Sequence, residues 1–229
     1  YRGMDIGTAK LPAAERRGIP HHLFDVLSPR EEATVAGYQP AARSTITEIF
    51  ARGNDAILVG GSGLYVSSVI FDFRFPPRDA QLRAELEREL EALGAPALLE
   101  RLRAIDPVAA AAVDPRNGRR IVRALEVAVL GASAPGALPA APELWHPSTR
   151  MIAVQTERAA LVERLDARVE RMWADGLLGE VRALIPQGLT EGKTASQAIG
   201  YAQALAQLAG KLDQAEAIAR TQALTRRYA

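Results

Sequence analysis

The sequence predicts an α/β fold, a parallel sheet core carrying a small helical insertion, and three observations carry that reading. The first is a continuous apolar run, Ala56-Ile57-Leu58-Val59, that leads at once into Gly60-Gly61-Ser62-Gly63 and a helical stretch from Leu64, the pattern of a buried parallel strand, a turn and a helix. The second is a change of texture at Arg74, where Phe75-Pro76-Pro77 breaks the chain and the residues as far as Val113 are charged, helical in period and without strand pattern. The third is size: 229 residues with 48% hydrophobic and 24% charged side chains can bury a core without a covalent staple. The core is assigned to residues 1–73 and 114–229, and the insertion to residues 74–113.

Taken in order, residues 22–27 (HLFDVL) form a short apolar run between prolines and read as a buried strand. Residues 34–52 place Tyr38, Ala42, Ile46, Ile49 and Phe50 at helical spacing, with Gly53-Asn54 as the stop. Within the insertion, Leu82, Leu86, Leu90 and Leu93 make one stripe, and Leu98, Leu99 and Leu102 another. Asp106-Pro107 and Asp114-Pro115 each set an N-capping carboxylate before a proline suited to the first helical position, so two further helices are predicted, the second running to about Leu130. Residues 131–147 read as a loop and residues 151–155 as a strand returning to the sheet. Three helices close the chain: one striped by Leu161, Leu165, Val169 and Met172, one capped by Thr194 with Gln197, and one started by Asp213 with Glu216.

The absence of cysteine removes disulfides, thiolate zinc sites and thiol nucleophiles, and fits a reducing cytoplasm. No apolar run approaches the ~18 residues that cross a bilayer, so no membrane partner is expected. Twenty-eight basic against 27 acidic side chains leave +1, so a polyanionic partner has to be met by local clusters. His21 and His22 are adjacent and His146 is distant, so no metal-ligand set is read and no nucleophile, base and orienter constellation for hydrolysis.

Three patterns can carry chemistry. Ser62 is expected at the carboxyl end of the 56–59 strand, lining a channel, because ligands of open α/β sheets sit there; the alternative is a surface serine in a tight turn. Residues 3–10 (GMDIGTAK) combine two glycines, Thr8 and Lys10 in one short loop able to hold phosphate oxygens, although the spacing is not that of a Walker A loop. Arg116, Arg119, Arg120 and Arg123 recur at helical spacing near a helix start, where guanidinium groups and the helix dipole suit an anion; a solvated face is the alternative.

Residues 1–10 (YRGMDIGTAK), 19–26 (IPHHLFDV), 57–65 (ILVGGSGLY), 119–127 (RRIVRALEV) and 195–201 (ASQAIGY) together resemble the bacterial type of the tRNA dimethylallyltransferase, or tRNA isopentenyltransferase, family, in order and in spacing over almost the whole chain. The resemblance implies a P-loop NTPase-like core and transfer of a dimethylallyl group from dimethylallyl diphosphate to the exocyclic amine of the adenine 3′ of the anticodon, in tRNAs reading U-initial codons. It implies a catalytic role for Ser62, which stands where the family usually has a threonine. It implies tRNA contacts by Arg83, by the segment Arg119, Arg120, Ile121, Val122 and Arg123, and by the stretch Gln197, Ala198, Ile199, Gly200 and Tyr201.

The family's phosphate loop and general-base aspartate precede the residue matching Tyr1, and its bacterial end follows Ala229. The chain is therefore expected to belong to a longer monomeric cytoplasmic enzyme and to be incomplete for catalysis alone. Mg²⁺ is expected with the diphosphate, and the tRNA anticodon stem-loop as partner. Three rivals remain: an adenylate isopentenyltransferase, an RNA-binding remnant without catalysis, and a P-loop kinase, the last disfavoured because phosphoryl transfer needs no RNA-contacting arginine segment.

Overall fold

The computed structural model describes residues 1–132 and 142–229; the central part of the expected 131–147 loop lies outside the described residues. Among the described residues the architecture is helical and no strand forms, the one β-pairing being an isolated antiparallel bridge between Phe71 and Leu144. The expected parallel sheet is thereby corrected, and with it the P-loop NTPase-like core. Among the described residues, 56–59 and 151–155 take no regular secondary structure; Ala56 and Leu58 are half-buried, while Ile57 is 87% exposed, Val59 86%, Ile152 90% and Val154 94%. An apolar run reports the tendency to be buried, whereas a strand is completed only by the ladder of a second one. Residues 22–27 are irregular and mostly exposed as well, with Leu23 and Asp25 at positive φ (62° and 59°), which a strand excludes.

The chain divides into two compact units, one of residues Tyr1–Val66 and Arg150–Ala229, the other of Ser67–Thr149. In the first, α1 (Val35–Ala51) starts where Thr34 accepts a hydrogen bond from the Gly37 amide, and α2 (Gly63–Ile70) carries the boundary between the two units, at Val66 and Ser67. The helices of the second are α3 (Ala80–Ile105), α4 (Pro107–Ala112) and α5 (Gly118–Val129). Asp79 caps α3 through the amides of Gln81 and Leu82, and α3 breaks at Gly94 (φ 78°), which accounts for two leucine stripes rather than one. Asp106 caps α4 as predicted; α5 is capped by Asn117 instead of Asp114, whose carbonyl and carboxylate close the turn before it. Leu86, Leu98, Leu99, Leu102, Ile121, Val122 and Leu125 form the core of this unit. At Gly118 a Cβ would lie 2.8 Å from Leu90, so glycine permits the close contact of α5 with α3.

The rest of the first unit comprises α6 (Arg158–Ala174), α7 (Leu177–Leu184), α8 (Tyr201–Leu208) and α9 (Gln214–Tyr228). The capping box of Asp213 with Glu216 is formed. That of Thr194 with Gln197 is not: those residues border a single 3₁₀ turn, and Gln203 takes the Gly200 amide at the start of α8. Val169, Met172, Trp173, Leu177, Val181, Leu184, Tyr201 and Ala204 enclose Met4, so the N-terminal loop is anchored among the C-terminal helices.

Candidate functional site

In the second unit Glu126 organises two of the arginines singled out by the sequence. Its side chain is fully buried; Oε1 accepts the Asp79 amide at 3.0 Å, and Oε2 accepts Arg123 Nη1 at 2.7 Å and Arg83 Nη1 at 3.4 Å. Arg123 also donates to the carbonyls of Pro77 (3.1 Å) and Pro76 (2.9 Å), and Arg83 Nε donates to Glu87 at 3.0 Å. One carboxylate thus fastens the Pro-Pro segment, the first turn of α3 and the middle of α5, and offsets part of the charge of both arginines. Arg119 and Arg120 lie exposed on the first turn of α5, and Arg116 falls before the helix, beside Asp114 at 3.6 Å. Ile121 and Val122 are 0% exposed, so only their backbone could meet a ligand.

In the first unit the 3–10 loop is held from two sides. Thr8 Oγ donates to the Met4 carbonyl at 2.6 Å. Lys10 Nζ bonds Asp5, Asp25 (2.6 Å) and the Tyr1 carbonyl (3.1 Å), so all three ammonium protons are taken. Burial alone would lower the Lys10 pKa, but the hydrogen bonds to Asp25 and Asp5 outweigh it and hold the ammonium above its ordinary value. The same bond holds the Asp25 carboxyl below the usual carboxylate range. On the other side Glu180, on α7, accepts the amides of Asp5 (3.0 Å), Ile6 (2.8 Å) and Gly7 (3.4 Å), together with the Tyr201 hydroxyl at 2.5 Å. Burial and then the facing Glu180 carboxylate push the Tyr201 phenol far above its ordinary value.

Ser62 is solvent-exposed at the start of α2, its carbonyl accepting the Val66 amide at 2.9 Å. The strand expected to lead to it is not formed, so its position at a sheet edge is corrected. Gln197 is exposed, Ala198 and Ile199 are half-buried, and Gly200 and Tyr201 are buried. The structure therefore brings residue 201 together with the 3–10 loop, and Arg83 together with Arg123. Two acids that join them, Glu126 and Glu180, were not singled out from the sequence. Glu126 stands between Leu125 and Val127 on the apolar side of its helix, the one local sign of a paired buried acid; three of the four partners of Glu180 are backbone amides more than 170 positions away and the fourth is the Tyr201 hydroxyl, and none leaves a local sign. Among the described residues no group of three or more His, Cys, Asp or Glu is placed to hold a metal ion, and no helix is long and apolar enough to cross a membrane.

The tRNA dimethylallyltransferase of Clavibacter sepedonicus is 58% identical over 229 residues, covering 100% of this chain and 74% of that protein. That of Leifsonia xyli is 63% identical over 209 residues, 91% of this chain and 79% of that one. Among solved structures, the full-length tRNA isopentenylpyrophosphate transferase from Bacillus halodurans is 40% identical with a TM-score of 0.66, covering all of this chain and 72% of that one. A family model described as IPP transferase matches residues 1–229, and with these relatives it shows that the chain belongs to the IPP transferase family.

Proposed function

We propose that this chain acts in tRNA dimethylallyl transfer, from dimethylallyl diphosphate to the exocyclic amine of the adenine 3′ of the anticodon in tRNAs reading U-initial codons. The observation that carries the reading is identity of 58% and 63% to proteins named for that activity, over roughly three quarters of their length or more. The relatives' names favour tRNA over a free adenylate, and they favour an enzyme over an RNA-binding remnant. In the reaction the bond between the allylic carbon and the diphosphate oxygen breaks, a carbon–nitrogen bond forms, and the amine loses one proton. An adenine amine delocalises its lone pair into the ring, so the step demands an oriented amine, a neutralised leaving group and little water.

The chain's own residues are assigned to these needs as follows. Ser62 orients the amine or a phosphate oxygen through its exposed hydroxyl. Arg119 and Arg120 hold the RNA backbone of the anticodon stem-loop, with Arg83 and Arg123 beside them, Ile121 and Val122 contributing backbone only, and Gln197, Ala198, Ile199 and Gly200 forming a second RNA-facing stretch. Thr8 and Lys10 stand by the diphosphate, which Lys10 meets by exchanging one of its three present partners. Mg²⁺ is proposed as counter-ion of the diphosphate, although among the described residues no group of three or more His, Cys, Asp or Glu is placed to hold it. A monomer in the cytoplasm completes the proposal. The test is Ser62→Ala: turnover should fall more than tRNA affinity, as for a group used mainly in the transition state. Equal turnover with weaker tRNA binding would reduce Ser62 to a contact.

A further inference from the structure

We infer that Glu180 and Tyr201 are a positioning pair that presents the 3–10 loop to the allyl diphosphate, so that Tyr201 serves the diphosphate rather than the RNA. The inference rests on the functional reading above for what the loop meets, and on geometry for the rest. Three segments far apart in the sequence converge on one carboxylate: the amides of Asp5, Ile6 and Gly7, the Glu180 side chain on α7, and the Tyr201 hydroxyl that opens α8. Four donors on two oxygens saturate a carboxylate, and consecutive amides turned onto it fix the loop's backbone rather than one of its side chains.

Tyr201 is 0% exposed and its hydroxyl is committed to Glu180, so no part of its side chain is available to RNA. Its ring lies against Gly7, where a Cβ would come within 2.7 Å of Cζ, so the loop rests on the ring as well as on the carboxylate. Beyond the clamped amides the loop carries Thr8 and Lys10, the two side chains assigned to the diphosphate. Loosening the clamp lets those side chains wander before it affects any surface that the RNA touches.

The pair is tested in the enzyme with Tyr201→Phe, which keeps the ring and removes one hydrogen bond, and with Glu180→Gln, which keeps the shape but turns one accepting oxygen into an NH2 donor and so removes two of the four. Amide hydrogen exchange at residues 5–7 should quicken about fivefold in Tyr201→Phe, the loss expected of one hydrogen bond, and by more in Glu180→Gln, and KM for dimethylallyl diphosphate should rise in the same order. The dissociation constant for an anticodon stem-loop RNA should stay within about twofold, its salt dependence unchanged. Unchanged exchange in both variants would overturn the inference, and so would RNA affinity falling as far as KM for the diphosphate rises. If the unaltered enzyme modifies no tRNA, the functional reading fails, while the exchange measurement still decides whether the pair positions the loop.

Discussion

Removing the Glu126 carboxylate tests the packing of the second unit at its most committed point. In Glu126→Ala the Asp79 amide loses its acceptor and two guanidinium groups lose their counter-charge. Breaking a buried pair from one side costs about 3–5 kcal/mol. The arginines here keep 20% and 30% of their side-chain surface in water, which can take over part of the solvation, so the expected loss is reduced to about 2–4 kcal/mol. In Glu126→Gln an oxygen remains for the Asp79 amide, while the charge and the acceptor shared by Arg123 and Arg83 are lost, for about 1–3 kcal/mol. The two tryptophans separate the units, Trp145 in the second and Trp173 in the first, so urea unfolding followed by fluorescence in a Trp173→Phe background reports the second unit by itself. A double-mutant cycle of Glu126→Gln with Arg123→Gln should give a coupling of about 1–2 kcal/mol. Losses for Ala and Gln that are equal and below about 0.5 kcal/mol would refute the reasoning, because a satisfied buried carboxylate cannot be removed at so small a cost.

Gly7→Ala would place its Cβ 2.7 Å from Tyr201 Cζ and about as close to other ring atoms, overpacking a buried contact by about 1–3 kcal/mol, whereas Gly61→Ala meets nothing within 4 Å; a thermal scan in which the two variants melt together would contradict the contact. Arg119→Ala and Arg120→Ala should each lower the salt dependence of tRNA binding by about one unit of log–log slope, and Arg123→Ala by less because Glu126 already offsets its charge; filter binding over a salt series with Arg123 giving the largest change would reverse that order. The Asp25 carboxyl is held below its unfolded value by Lys10, so its contribution to stability is complete above the ordinary carboxylate range and fades as pH falls through the lowered value. Melting curves between about pH 6 and 3 should therefore show a shallower acid decline in Asp25→Asn than in the parent.

What was legible in the sequence was local. Asp106 and the Asp213 with Glu216 box are formed where the spacing placed them, because a cap needs only its own first turn. Thr194 and Asp114 offered equally good local patterns and lost to Gly200 with Gln203 and to Asn117, since a polar residue three positions ahead of an apolar run does not by itself decide which turn the helix starts from. The apolar runs at residues 56–59 and 151–155 were read as strands, yet their pairing depends on residues elsewhere in the chain, and among the described residues they stay unpaired and largely exposed. The site divides along the same line. Arginines at helical spacing and a loop rich in glycine stand out from composition and period, while Glu126 and Glu180 take their meaning from donors brought to them by the fold.

That this chain belongs to an enzyme that prenylates tRNA is tested most directly by analysis of the modified nucleoside. The purified enzyme is incubated with dimethylallyl diphosphate and an unmodified tRNA reading a U-initial codon, the RNA is digested to nucleosides, and the digest is examined by mass spectrometry beside a parallel reaction offered free adenylate. A dimethylallyl group is expected on one adenosine, mapped by partial digestion to the position 3′ of the anticodon, and none on the free nucleotide. Modification of the adenylate with the tRNA left untouched would contradict it.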